Sequence, residues 1–478
     1  MDDKKYRQGP PSVEEIERVQ AYFSKQISRT FHEINRNLRR YGLQVSRTTG
    51  GIEVLDFEKY YPIFKGDLVE LLEQKPAEPR QRLDEIITKG AKSLKSELDK
   101  YVICQDKAKK TLAVEIINHY RKISSADDNK FKRKKRNILL IGNTGVGKTY
   151  LIERIAEELK VPFAKVTATD YTSAGYVGGD VDDIIRQNLL RNAKDDAALA
   201  EKGIVYIDEI DKISASQMST GPDVGGDKVQ SAILTLIDGK EVEIVAPHDQ
   251  AGKKELMERK NRGEKIKETI DTKSVLFILG GSFSSGKNGI SLLECIQERK
   301  LKEKEGSRVS IGFMANVNKD ETIKDYKDTE VKSVDLVAYG MRHEMIGRIP
   351  ARALLQDLCV EDLYSILKKD TEDSLVKQAK IEFKALGIEL EFNDEALHAM
   401  AEKSDLKTGA RGLETVMSDT LGEYLFELED KGLTELTVTK TMVEDPQGEL
   451  KKILEKPVAK KEAAVETEPE VLEEEPLV

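Results

Sequence analysis

The sequence predicts an α/β protein: a phosphate-loop domain on a parallel sheet, followed by a smaller, mainly helical domain and preceded by a helical module. Three observations carry this. Short apolar runs (Ile138–Ile141, Phe163–Val166, Ile204–Ile207, Val275–Leu279) alternate with helical stretches, the pattern of strands covered on both faces. The first run opens into Gly142-Asn143-Thr144-Gly145-Val146-Gly147-Lys148-Thr149 and then a helical stretch, Tyr150–Leu159. Past about residue 349 the character turns helical, with short strands at Ile388–Phe392 and Glu435–Val443.

Taken in order, residues 12–41 read as one long helix. Ile16, Val19, Phe23, Ile27, Phe31, Ile34, Leu38 and Tyr41 recur at spacings of three and four and so share a face. Ser12 with Glu15 resembles a capping box, and Gly42 ends the pattern. The stripe is either ordinary core or a surface for dimerisation or adaptor docking. A Pro-bearing polar stretch at 74–80 marks a boundary, and Leu94–Tyr120 reads as helical. The expected domains are therefore a helical module over 1–93, a large domain over 94–348, a small domain over 349–443 and an acidic tail over 444–478. The tail has seven glutamates from Glu462 to Glu475 with Pro457, Pro469 and Pro476, a composition that cannot bury a core and reads as disordered.

Composition narrows the function classes. Apolar residues make up 39% and charged residues 34% of the 478, a soluble globular profile with no apolar run long enough to cross a membrane. The start has neither a secretory core nor a transit-peptide composition, and three distant cysteines (Cys104, Cys295, Cys359) give neither a disulfide framework nor a zinc site. A cytoplasmic setting is expected. The net charge of -10 excludes a strongly basic nucleic-acid footprint, and the run at 130–136 (KFKRKKR) reads as a solvated linker.

The chemistry concentrates at two places. In GxxxxGK[ST] between strand and helix, glycines turn backbone N–H groups inward around phosphates at a helix N-terminus that already favours anions. Lys148 then reaches the β- and γ-phosphates, and Thr149 offers its hydroxyl to Mg2+, with Asn143 to Tyr150 forming the cradle. At Gly203–Glu209 a buried strand delivers two carboxylates beside that loop: Asp208 suits Mg2+ through water, and Glu209 suits the attacking water as general base. The chain is expected to bind ATP with Mg2+ and to hydrolyse it.

These motifs, with further ones, resemble the AAA+ ATPases and in detail the ClpX family of Clp-protease unfoldases, over about residues 94–430. Glu97–Gln105 followed by Asn118-His119-Tyr120 resembles that family's nucleotide-pocket stretch, which implies that Val102 and Ile103 sandwich the adenine; Cys104 stands where the family has glycine. Gly175-Tyr176-Val177-Gly178 matches the pore loop that grips polypeptide, where an aromatic on a glycine hinge acts by bulk. Ile311-Gly312-Phe313 resembles the loop that docks on a ClpP-type peptidase. Gly347-Arg348-Ile349-Pro350 resembles the hinge whose arginine reaches a neighbouring subunit's nucleotide, and Arg411 matches the sensor arginine of the small domain.

The resemblance thus implies catalytic roles for Glu209, Arg348 and Arg411, a homo-hexamer, and protein substrates with possible adaptors. Three features depart from the family. No cysteine precedes Cys104, so the zinc-binding N-terminal domain is not found. The basic pore-entrance loop is likewise not found, and Pro222 replaces a second-pore-loop arginine, so tag preference does not carry over. Two rivals remain: a remodelling chaperone without a peptidase, and a nucleic-acid motor on the same scaffold.

Overall fold

The computed structural model describes residues 44–48, 51–55, 79–124, 135–172, 179–214, 226–263, 266–286, 289–306, 325–327, 329–429 and 431–455. The expected helix at 12–41 lies outside them. The chain divides into two compact units, Met1–Arg82 and Leu83–Val478. In the first, β1 (Gln44–Thr48) pairs antiparallel with β2 (Gly51–Leu55), from Gln44 opposite Leu55 to Thr48 opposite Gly51.

The second unit begins at Leu83. Along helix α1 (Pro79–Lys89), Leu83, Ile86 and Ile87 bury themselves in the same core as the phosphate-loop strand. Helices α2 (Ala91–Asp99) and α3 (Asp106–Ser124) follow where one continuous helix was expected. The break spans Lys100 to Gln105, and at its end Cys104 and Gln105 have φ angles of 55 and 60, in the left-handed region that cannot continue a helix. Gln105 holds that kink by exchanging amide hydrogen bonds with the backbone of Gln356: its Nε2 donates to the Gln356 carbonyl (2.8 Å) and its Oε1 accepts the Gln356 N–H (2.9 Å).

The central sheet is parallel and five-stranded. Its strands are β3 (Ile138–Ile141), β4 (Phe163–Thr167), β5 (Ile204–Asp208), β6 (Leu276–Gly281) and β7 (Ala351–Leu354), in the order β7-β3-β6-β5-β4. Four of these match the apolar runs. The fifth adds residues 351–354 at the edge of the sheet, beside β3. Alternation explains why the strands read as continuous apolar runs. Leu139, Ile141, Val205, Ile207, Phe277 and Leu279 face one buried cluster, whereas Ile138, Leu140, Ile204, Tyr206, Leu276 and Ile278 face the other.

The small part has its own core around Phe383, Met400, Leu413 and Tyr424. Helices α8 (Val360–Lys368), α9 (Leu375–Ala385), α10 (Asp394–Lys403) and α11 (Ala410–Glu427) surround a parallel pair, β8 (Glu389–Phe392) and β9 (Glu435–Val438). Before them, in the large part, lie α4 (Lys148–Leu159), α5 (Gly226–Asp238), α6 (Gln250–Asn261) and α7 (His343–Arg348). The side chain of Asn393 caps α10 by accepting the Ala396 N–H at 2.7 Å.

Two boundaries shift here. The strand expected to run to Val443 ends at Val438, and a short helix covers Lys440–Glu444. The chain then forms α12 (Pro446–Glu455) inside the stretch expected to be a disordered tail, because Leu450 finds a place in the small core. Among the described residues no helix is long and apolar enough to cross a membrane.

Candidate active site

The parallel sheet places its strand ends at one cavity of about 600 Å³. From β3 the chain enters the loop Gly142–Gly147 and then α4, so the free N–H groups of a helix N-terminus face the cavity. Two glycines there are obligatory for different reasons. Gly147, at φ 89, ends the loop in a conformation that side chains rarely adopt. Gly145, at φ 79, also has no room: a Cβ there would lie 1.8 Å from the Thr408 carbonyl of the small part.

Lys148 folds over the loop, its Nζ donating to the carbonyls of Gly142 (2.6 Å) and Asn143 (2.9 Å). Burial pushes its pKa below the usual lysine value, with Asp208 working against that fall. A desolvated ammonium beside a ring of N–H donors fits an anion, so the loop suits phosphate. Thr149 Oγ1 donates to Asp208 Oδ2 at 3.3 Å, which brings together a hydroxyl and a carboxylate of the hard-oxygen type that Mg2+ takes.

Asp208 ends β5, and its Oδ1 accepts the Glu209 N–H at 2.9 Å. Glu209 itself stands at φ 56, a strained setting for a non-glycine residue that costs about 1–3 kcal/mol. Its carboxylate lines the cavity beside Asp208 and Lys148.

The other side of the cavity comes from α2–α3 and from the small part. Val102, Ile103 and Tyr150 line it, with Leu358, Ile366 and Leu367. The Arg154 guanidinium lies over the rings of Tyr150 (5.3 Å) and Tyr101 (5.8 Å). Arg411 enters from the first turn of α11, whose Ala410 N–H donates to the Gly145 carbonyl at 3.0 Å. Cys104 carries its thiol to the carboxylate of Asp362, and burial raises its pKa to about 12, so it is no ready nucleophile.

Most of the expected residues therefore meet at one place: Val102, Ile103, Thr144, Gly145, Val146, Gly147, Lys148, Thr149, Tyr150, Asp208, Glu209 and Arg411. Two do not join them. The Asn143 amide is held by Asp357 (2.8 and 3.0 Å) and is not among the cavity's lining residues. Arg348 lies outside the lining as well, half exposed at the end of α7. Gly175, Tyr176, Val177 and Gly178, and likewise Ile311, Gly312 and Phe313, fall outside the described residues.

The structure adds residues that the sequence reading missed. Asp211 is buried against the cavity, accepting from Ser282 Oγ and the Phe283 N–H, both at 3.0 Å. Its signal was available, a second acid two positions past Glu209. Lys369, Asp373 and Glu414 carry no local signal, because only tertiary folding brings the small part to the phosphate loop.

Comparison with known proteins then decides the family. Residues 133–352 match the family model described as the AAA domain (Cdc48 subfamily), and residues 358–439 match the C-terminal, D2-small domain of ClpB protein. The chain is 40% identical to an ATP-dependent Clp protease ATP-binding subunit, ClpX 2, of Wolinella succinogenes, covering 72% of this chain and 80% of that one. It is 38% identical to the ClpX subunit of Treponema denticola (73% and 80% covered) and 39% identical to that of Borrelia duttonii (74% and 78%).

The chain belongs to the ClpX family. As a ClpX-family AAA+ protein it is an ATPase and an ATP-binding subunit of the Clp protease type. The expected large domain on a parallel sheet and the small, mainly helical domain both stand.

Proposed function

We propose that the protein is an ATP-driven unfoldase and translocase. Six copies form a ring, ATP with Mg2+ drives it, and protein substrates pass along its axis into a ClpP-type peptidase in the cytoplasm. The observation that carries this reading is the hydrogen bond from Ala410 to Gly145. It makes the small part a wall of the nucleotide cavity, so an event at the phosphates is passed to the small part as a displacement.

In this reading the loop from Gly142 to Thr149 binds the phosphates, while Val102 and Ile103 flank the adenine. Thr149 and Asp208 would hold Mg2+, which would supply positive charge at the phosphates. Glu209 takes the proton of the attacking water, and Arg411 contacts the phosphates of its own subunit. Arg348 serves the adjacent copy instead. Its place outside its own cavity and its half-exposed side chain support that division. Tyr176, between Gly175 and Val177-Gly178, pulls the substrate, and Ile311–Phe313 docks on the peptidase.

A trapping experiment tests the whole reading. The ring is supplied with ATP beside its organism's own ClpP-type peptidase, inactivated at the nucleophile, and the captured proteins are identified by mass spectrometry. The Glu209→Gln ring, which binds ATP without turning it over, is the blank. Proteins captured only by the wild type are the expected result. An empty chamber despite ATP turnover would refute the peptidase route and leave a remodelling chaperone.

A further inference from the structure

An arginine that serves a neighbouring active site has to be held in place by its own subunit, or it swings freely in solvent. Arg348 is held at both ends. Its backbone carbonyl accepts a hydrogen bond from Asn137 Nδ2 (3.1 Å), and Asn137 is a buried residue directly ahead of β3. Its guanidinium pairs through Nε with Asp238 Oδ1 at 2.6 Å.

The second contact is the informative one. Nε sits on the stem side of the guanidinium, so pairing there fixes the direction of the side chain. The two terminal amino groups lie further out, on a side chain that is 51% exposed as a whole.

Asp238 is an unexpected residue for stability. It is the last residue of α5, where the helix macrodipole presents its negative end and a carboxylate is disfavoured. An ion pair this exposed contributes little to folding. The helix nevertheless ends there cleanly, because Gly239 takes φ 104. The neighbourhood is also rigid. Arg342 Nη1 donates to Ser231 Oγ at 2.6 Å, a second tie between the segment that leads into α7 and the flank of α5. Met345 and Ile346 of α7 share a core cluster with Ile233, Leu236 and Ile237 of α5.

We propose that Asp238 is a positioning residue for ATP hydrolysis in the adjacent subunit: it aims Arg348 at that neighbour's phosphates. The proposal rests on the reading of Arg348 as an arginine acting between subunits.

Steady-state ATP hydrolysis by the full-length ring tests both, with Arg348→Ala, Asp238→Asn, the double variant and Asp238→Glu. Arg348→Ala is expected to lower kcat by roughly 10³-fold. Asp238→Asn is expected to lower kcat by about 10- to 100-fold, the cost of a misaimed group, with KM for ATP and ring size unchanged. The double variant should be no slower than Arg348→Ala alone, and Asp238→Glu should recover most of the rate. The melting temperature of Asp238→Asn should match or exceed that of the wild type, which a merely structural role would not allow.

A wild-type kcat in Asp238→Asn would overturn the proposal, as would a loss that multiplies onto that of Arg348→Ala or a failure of the ring to assemble. Each of these leaves the role of Arg348 standing. A wild-type rate in Arg348→Ala would remove that role, and the proposal with it. Mixed rings separate the two sites directly. Glu209→Gln copies lack their own base but carry an intact Arg348 and Asp238. Adding them to Asp238→Asn copies should raise turnover above that of either alone, and no rise would count against action between subunits.

Discussion

The two walls of the nucleotide cavity are built differently. The large-part wall stands on the ends of β3, β5 and β6, strands buried on both faces, so Lys148, Thr149, Asp208 and Glu209 are set on a fully buried apolar support. The small-part wall meets it through polar contacts, among them Ala410 to Gly145 (3.0 Å), Lys369 Nζ to the Asp99 carbonyl (2.8 Å), Cys104 to Asp362 and the paired Gln105–Gln356 bonds. In the proposed function, the bond-breaking chemistry falls to a fixed surface and the conformational response to a seam. Polar contacts can be traded for others at small cost, whereas a jigsaw of Ile, Leu and Val cannot.

Substitutions sharpen the contrast. The largest effect is expected on the fixed wall. Lys148→Ala should lose ATP binding by calorimetric titration and with it turnover, whereas Glu209→Gln should keep binding and lose turnover by roughly 10²–10⁴-fold. Equal binding by the two variants would break the assignment of Lys148 to the phosphates.

Gly145→Ala strikes the seam. Its new methyl would meet the Thr408 carbonyl, so the small part has to move away at a conformational cost that the φ of 79 adds to. ATP affinity should fall by about tenfold while the helical content stays the same. Wild-type affinity would show that the seam is not part of the site.

The smallest effect concerns pH. His119 is buried beneath the sheet, its Nε2 bonded to the Ser274 carbonyl (3.1 Å). Burial first, and then the positive charge of Lys135, hold its pKa down to about 3. The unfolded chain takes up that proton near 6.5, so its contribution to stability is complete above 6.5 and is lost as pH falls from there towards 3. The slope is at most about 1.4 kcal/mol per pH unit. His119→Gln, followed by urea unfolding at pH 7 and pH 5, should flatten that dependence, and an unchanged slope would assign it to other groups.

The same contrast marks how far the sequence could be read. The strands of the large part were legible because a strand buried on both faces must be apolar at every position, as in Ile138–Ile141. The phosphate loop was legible because its glycines answer to backbone geometry. Three things were not. The break between α2 and α3 carries no glycine or proline, and the left-handed Gln105 before α3 is held by the distant backbone of Gln356. The edge strand β7 follows directly on the hinge motif, and its half-buried residues Arg352 and Leu354 blur the strand pattern. Helix α12 lies among charged residues and rests on few buried side chains, of which Leu450 is one, so composition masked it. Seam residues such as Lys369 and Asp373 were silent for the same reason: their meaning depends on what they fold against.

The three thiols of the chain differ in a way that is useful at the bench. Cys295 is buried, and Cys104 is tied to the Asp362 carboxylate with its pKa near 12, whereas Cys359 is exposed. It caps the start of α8, bonded through its N–H to that same Asp362 (3.0 Å) and thus close to the seam. A maleimide fluorophore added to the unaltered protein should therefore attach at Cys359 ahead of the other two. That gives a native optical reporter on the part of the chain that ATP turnover is expected to move.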